Sequence, residues 1–182
     1  MATDVQPVDD FLAREKRLVG PPPLWVAARR SWECSAQWPI INDLGIQVGE
    51  LRFKAANGSN ASDSVSVIFR SNPIWRMDLA PMTTCEPNPP YGRWLELPAQ
   101  VCGPHEHRWP DNRQHVIDNG FSELPFRRAL AANLKRFEQM LPYLANEINL
   151  ILEPDQRSFD GPPQKDMFRL CLLYTSPSPR DS

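Results

Sequence analysis

The sequence lacks any run of about 18 apolar residues, the length that a membrane-spanning helix needs, so no membrane association is expected. It also lacks an excess of one charge. The formal net charge is −2 at pH 7, which supplies no global field to draw in nucleic acid, so any polyanion site must be local. Cysteine is scarce: Cys34, Cys85 and Cys102 show no tight CxxC spacing, which argues against a disulfide framework or a metal knuckle, and no role is assigned to them. The N-terminus MATDVQPVDD has neither the basic nor the apolar stretch of a signal peptide, so a cytoplasmic location is expected. No internal repeat is visible, which removes solenoid architectures.

Proline is what the chain has in plenty. Its 20 prolines in 182 residues are about twice the usual share, and they favour extended connections and short strands over a helical bundle. With 41% hydrophobic residues and six tryptophans the chain can bury a real core, and the expectation is a single α+β domain over residues 1–170. Residues 171–182, containing CLLYTSPSPRD, resemble a translated adapter from sequencing-library preparation rather than protein. The natural product is therefore expected to be cut off near Leu170, with 171–182 a non-native tail.

Periodicity gives an outline. Asp9 and Asp10 can cap a short leader helix over Phe11 to Leu18, which the Gly20-Pro21-Pro22-Pro23 run terminates. Apolar residues then alternate with polar ones over Trp32 to Ile41, Val48 to Ala55, Ser64 to Arg70 and Ile74 to Leu79. Turn residues at Asn57-Gly58-Ser59-Asn60 and Ser71-Asn72-Pro73 join these strands into an antiparallel meander. Residues 80–98 carry Pro81, Pro87, Pro89, Pro90 and Pro98 and read as an ordered surface loop. A fifth strand over Gln100 to Trp109 follows. Asn119 or Ser122 can then cap a long amphipathic helix through Leu130, Leu134, Phe137, Leu141, Leu144 and Ile148, kinked or split at Pro142 and packed on one face of the sheet.

All three histidines, His105, His107 and His115, fall in one short stretch with Glu106, Arg108, Asp111, Asn112 and Arg113. On a strand, His105 and His107 share one face while Glu106 and Arg108 take the other. Two imidazoles in one pocket suit acid and base steps near neutral pH, on a phosphodiester or a similar substrate. The same pair could instead hold zinc, with His115, Asp111 or Cys102 completing the shell; no cofactor is required by the acid–base reading. Arg76 and Asp78 share a face of the fourth strand and can act as anion clamp and imidazole orienter. The plainer alternatives are a histidine pair that only hydrogen-bonds the preceding loop, and a surface ion pair. Trp94, Trp109 and Tyr91 beside Arg93, Arg108 and Arg113 could stack on RNA bases, although half-buried sheet tryptophans are commoner.

IFRSNPIWRMDLAP followed by GPHEH resembles the R-x-D-x-x-P and P-H-x-H arrangement of small TumE-type toxins of bacterial toxin–antitoxin pairs, over residues 64 to 109. The resemblance implies a bacterial or phage α+β protein that is harmful alone, acts on RNA and is neutralised by a cognate antitoxin. Arg76, Asp78, His105 and His107 are the matching positions, and Met82 stands where the family tends to carry a histidine. The order of elements alone is similar to ubiquitin-conjugating E2-like domains. E2-type transfer needs a thiolate beyond the His/Asn segment, and the only downstream cysteine, Cys171, lies in the adapter-like tail. That likeness leaves a non-catalytic protein-binding module, with a structural or zinc-binding HEH segment, as the second expectation.

Overall fold

The structure is a computed structural model, and it describes residues 2–27, 33–56, 62–91, 96–131, 134, 136–159 and 161. The Asn57 to Asn60 turn, Trp32, Arg93, Trp94 and the adapter-like tail lie outside the described residues. The fold is α+β, built on one nine-stranded, mostly antiparallel sheet.

Its centre is the meander the alternation predicts: β3 (Glu33–Ile41), β4 (Gln47–Ala56), β5 (Asp63–Phe69) and β6 (Asn72–Leu79). Ala36 pairs with Phe53 and Trp38 with Leu51, all buried, while their sequence neighbours Ser35, Gln37, Arg52 and Lys54 face outward. The period of two thus sorts the chain into an apolar face and a polar face.

Short strands extend the meander on both sides. The path runs β10 (Arg128–Ala129), β9 (His105–His107), β6, β5, β4, β3, β1 (Lys16–Leu18) and β11 (Leu150–Ile151), with β2 (Val26–Ala27) also on β3; β1 and β11 pair in parallel.

The apolar face is covered by α1 (Gln6–Ala13), α3 (Phe137–Glu147) and the segment after β11, whose Phe159 packs tilted against Phe53 with ring centroids 4.8 Å apart. The expected leader helix is corrected twice. Pro7, with its preset φ, starts it earlier, and Lys16 to Leu18 leave it to pair with β3 and β11. It also belongs to the core, because Val8 and Phe11 are buried and Phe11 packs over Gly49, where an added Cβ would lie 2.7 Å from the Ile68 carbonyl oxygen. Lys16 is itself buried, and burial pulls its pKa down to about 8; its ammonium donates to the Arg14 and Ile148 carbonyls, tying the end of α1 to the end of α3.

The second half departs further from expectation. The fifth strand is two strands, β8 (Gln100–Cys102) and β9, separated by Gly103 at φ 79° and Pro104. Trp109 is not strand but the start of α2 (Trp109–Asn119), with Pro110 in its first turn and Gly120 at its end. The long helix is shorter than its apolar stripe suggests. Leu130 is extended, its N–H bound to the Pro104 carbonyl, and α3 begins only at Phe137, where Gln139 Oε1 accepts from the Arg136 N–H; Pro142 sits inside α3 without splitting it.

Within the proline-rich crossing, β7 (Cys85–Pro87) pairs with β8 as a separate two-stranded ribbon. Cys85 and Cys102 form a disulfide across it, which corrects the expectation that these cysteines have no role; Cys34 stays free and buried. Among the described residues no helix is long and apolar enough to cross a membrane.

Candidate functional site

The polar face of the sheet carries the site, and strand register assembles it. β9 lies antiparallel to β6 with Arg76 opposite His107 and Asp78 opposite His105, and β5 places Ser66 opposite Arg76 and Ser64 opposite Asp78. Two cross-strand rows result, Gln37–Arg52–Ser66–Arg76–His107 and Ser35–Lys54–Ser64–Asp78–His105, each ending on an imidazole. They lie in a cleft of about 890 Å³ that Glu86, Glu123 and Arg127 also line.

Each imidazole is held through Nδ1. His105 Nδ1 bonds the Gly103 carbonyl oxygen at 2.9 Å and His107 Nδ1 bonds that of Leu124. A carbonyl can only accept, so each Nδ1 carries a proton, and in a neutral ring the Nε2 is left with a lone pair. Both Nε2 atoms face one carboxylate oxygen, Asp78 Oδ2, at 3.8 and 3.9 Å. The other oxygen, Oδ1, is neutralised by Arg76, whose Nε and terminal nitrogen donate to it at 3.0 and 2.7 Å. Asp78 Oδ2 is buried without a hydrogen-bond partner. The ligand atoms of Asp78, His105 and His107 all lie within 4.8 Å of one another, and all three residues are buried.

With both rings neutral, three acceptors converge with no donor between them, which costs free energy until a cation or proton enters. A proton is disfavoured at His107: burial outweighs the nearby Asp78 carboxylate and pulls its pKa from the ordinary 6.5 down to about 4. The consequence for stability has a definite sign. Between about pH 6.5 and 4 the unfolded imidazole takes up a proton that the buried one refuses, so the folded state is progressively disfavoured as pH falls. Urea unfolding in EDTA at pH 7 and 4.5 is expected to show this loss, and His107→Gln to reduce it. An unchanged pH dependence in the variant counts against a neutral, buried His107.

The residues behind the imidazoles are equally specific. Glu106 takes the opposite face, as strand parity predicts, and accepts from the Tyr143 hydroxyl of α3 at 3.0 Å, with burial raising its pKa. Asn112 of α2 is wholly buried and brackets Phe126: its Oδ1 accepts from the Phe126 N–H at 2.8 Å and its Nδ2 donates to the Phe126 carbonyl at 2.9 Å. It thereby fixes the segment that presents the Leu124 carbonyl to His107. Asn112 belonged to the histidine-rich stretch, but nothing in its sequence context marked this role.

The expected completion of a metal shell by His115, Asp111 or Cys102 is corrected. His115 lies on α2 against Tyr91, with ring centroids 6.2 Å apart, and its Nδ1 lies 3.2 Å from Asn119 Nδ2. Asp111 is taken by a two-pronged ion pair with Arg128 at 2.7 and 2.6 Å, and Cys102 by its disulfide. Asp78 is the third ligand candidate instead. Among the described residues the expected RNA-stacking groups do not come together: Trp109 is buried, with its Nε1 donating to Asp9, and Arg113 also binds Asp9, while Tyr91 is exposed.

A second cleft of about 710 Å³, beside α1, mixes Asp4, Asp10, Arg14 and Arg70 without such a convergence. No family model, curated protein or solved structure matches the chain.

Proposed function

We propose that Asp78, His105 and His107 hold a divalent ion of the zinc type, and that the protein uses it to hydrolyse an anionic ester, a phosphodiester suiting the flanking cations best. The observation carrying this reading is the convergence of two imidazole lone pairs and a partnerless carboxylate oxygen. Two histidines and one carboxylate form a ligand set typical of hydrolytic zinc, where a position left open takes water. The carbonyls on both Nδ1 atoms are the outer contacts such ligands need for orientation. When bound, the ion would make that water a nucleophile near neutral pH.

The chain's own groups supply the rest. Arg76 holds Asp78 and, with its side chain half-exposed, reaches the cleft where a substrate oxyanion would sit. Arg127 lines the same cleft. In this reading His105 and His107 serve as ligands rather than as an acid–base pair, because both Nε2 atoms face the same carboxylate oxygen, and His107, with a pKa of about 4, carries no Nε2 proton to donate at neutral pH.

An RNA-directed hydrolase held in check by an antitoxin is the form of this activity that the TumE-type resemblance implies. A protein-binding module with a structural zinc is the second reading, favoured by the burial of all three ligands; a closed structural site needs a fourth protein ligand, and the described group has three.

The test is elemental analysis of the purified chain, with hydrolysis of bis(p-nitrophenyl) phosphate. About one ion per chain is expected, with activity lost in EDTA and restored by zinc. One ion without hydrolysis favours the binding module, and no ion from zinc, manganese, cobalt or nickel sinks both. Induced expression addresses the toxin form: wild type should arrest growth, and His105→Ala and His107→Ala should not.

A further inference from the structure

We propose that the Cys85–Cys102 disulfide controls the ion affinity of the Asp78–His105–His107 centre by fixing the carbonyl that orients His105. The inference rests on the metal reading above and adds a redox input to it.

The connection runs through three residues. The Gly103 N–H donates to the Thr84 carbonyl at 2.9 Å, and the Gly103 carbonyl accepts from His105 Nδ1 at 2.9 Å. Thr84 adjoins Cys85 and Gly103 adjoins Cys102, so the disulfide brackets both ends of the first bond. Gly103 has little slack: it stands at φ 79°, and an added Cβ would lie 2.5 Å from the Met82 sulfur.

What the crosslink holds is weak without it. β7 and β8 have three residues each and form a two-stranded ribbon outside the main sheet. A ribbon of that size is marginal in water by itself. Its other ties include the buried Val101 side chain, the Leu130 N–H bond to the neighbouring Pro104 carbonyl, the Glu86–Arg127 ion pair and Asn88, which donates to the Arg127 carbonyl and accepts from its N–H, both at 2.8 Å. Both cysteines lie at exposed positions, so a reductant can reach the bond.

The effect is selective between the histidines. The carbonyl holding His107 belongs to Leu124, and that segment, although it also contacts the ribbon through Arg127, is pinned to α2 by Asn112, a tie that the Gly103 carbonyl lacks. Reduction therefore frees His105 and spares His107. With a trialkylphosphine the step is balanced: the disulfide and one water yield two thiols, and the phosphine becomes its oxide.

The experiment uses the full chain in three forms: oxidised, phosphine-reduced, and the Cys85→Ser/Cys102→Ser variant, which cannot supply thiolate ligands of its own. Zinc titration calorimetry is expected to give an affinity about 10–100-fold lower for the variant than for the oxidised chain, the range typical of losing an outer contact to a ligand. Imidazole nitrogen spectra in EDTA supply a readout independent of the ion. In the oxidised chain both histidines should be locked with the proton on Nδ1, and on reduction only His105 should become a tautomer mixture. Equal zinc affinity within twofold, an unchanged His105 signal, or global unfolding of the variant would each overturn the proposal. Absence of zinc binding in the oxidised chain defeats the metal reading instead, and the His105 signal then decides the clamp alone.

Discussion

Asp78→Asn is expected to weaken zinc binding by more than about a hundredfold, a larger loss than removing an outer contact produces, while the metal-free protein keeps its stability or gains slightly. The two effects have one cause. Asp78 Oδ2 has no hydrogen-bond partner and, when both rings are neutral, faces two imidazole lone pairs, so the carboxylate helps a bound ion and hurts the empty fold. Asparagine preserves the shape, removes the charge and brings an NH₂ that can donate to an Nε2, so it satisfies in the empty protein what the ion satisfies in the loaded one. Arg76, 51% exposed against 3% for Asp78, can still donate to the asparagine Oδ1 and keeps its contact with water, so only the charge part of that pair is lost. Wild type, by contrast, should gain about 2.7 kcal/mol from free zinc at a hundred times its Kd, and the variant almost none at the same concentration. Urea titrations with and without zinc measure both quantities. A variant that binds zinc normally, or is strongly destabilised without it, would make Asp78 a structural hydrogen-bonding residue instead.

The parts of this architecture legible in the sequence are those with a local period. Ala36 and Trp38, Leu51 and Phe53, and Val65 and Val67 alternate with polar residues, and each pair lies buried on the expected face of its strand. Parity also separates His105 and His107 from Glu106. The pairing of β9 with β6 is non-local: alternation put Arg76 and Asp78 on one face and suggested that they meet the histidines, but it could not fix the register that brings them together. Parity cannot reveal that Oδ1 is spoken for by Arg76 while Oδ2 is not.

Three elements escaped for different physical reasons. α2 had start and stop signals in Pro110, Asp111 and Gly120, but its buried face includes Asp111, Asn112 and His115, so no apolar stripe betrayed it. The disulfide joins positions 17 apart across a proline-rich crossing, where β7 and β8 are too short to show a period. Leu130 misled in the opposite direction: it matches the helical spacing of Phe137 and Leu141 yet packs from an extended segment whose N–H is taken by Pro104. Apolar spacing records what is buried, not which backbone buries it, wherever strand and helix residues reach the same core.

Phe53→Ala is expected to cost about 3–5 kcal/mol, the largest loss of stability from any single truncation considered, without altering zinc affinity. Phe53 is wholly buried at the centre of the apolar face. Its ring centroid lies 4.8 Å from that of Phe159, 5.7 Å from Phe137 of α3 and 6.4 Å from Trp25, so one side chain joins the sheet to three separate covering segments. Truncation removes its own transfer free energy, the aromatic contacts and the filling of a space that three ring-bearing segments cannot all collapse into. Against a total stability of about 5–15 kcal/mol for a domain, that loss is large. The centre should be spared while the protein stays folded, because Asp78 and the histidines lie on β6 and β9, beyond β5, and on the other face of the sheet. Equilibrium urea unfolding in EDTA reads the first effect and zinc calorimetry at low temperature the second. A loss below about 1 kcal/mol would place Phe53 outside the core, since even modest core truncations cost more. Weakened zinc binding in a variant shown to be folded would mean that the two faces of the sheet are coupled.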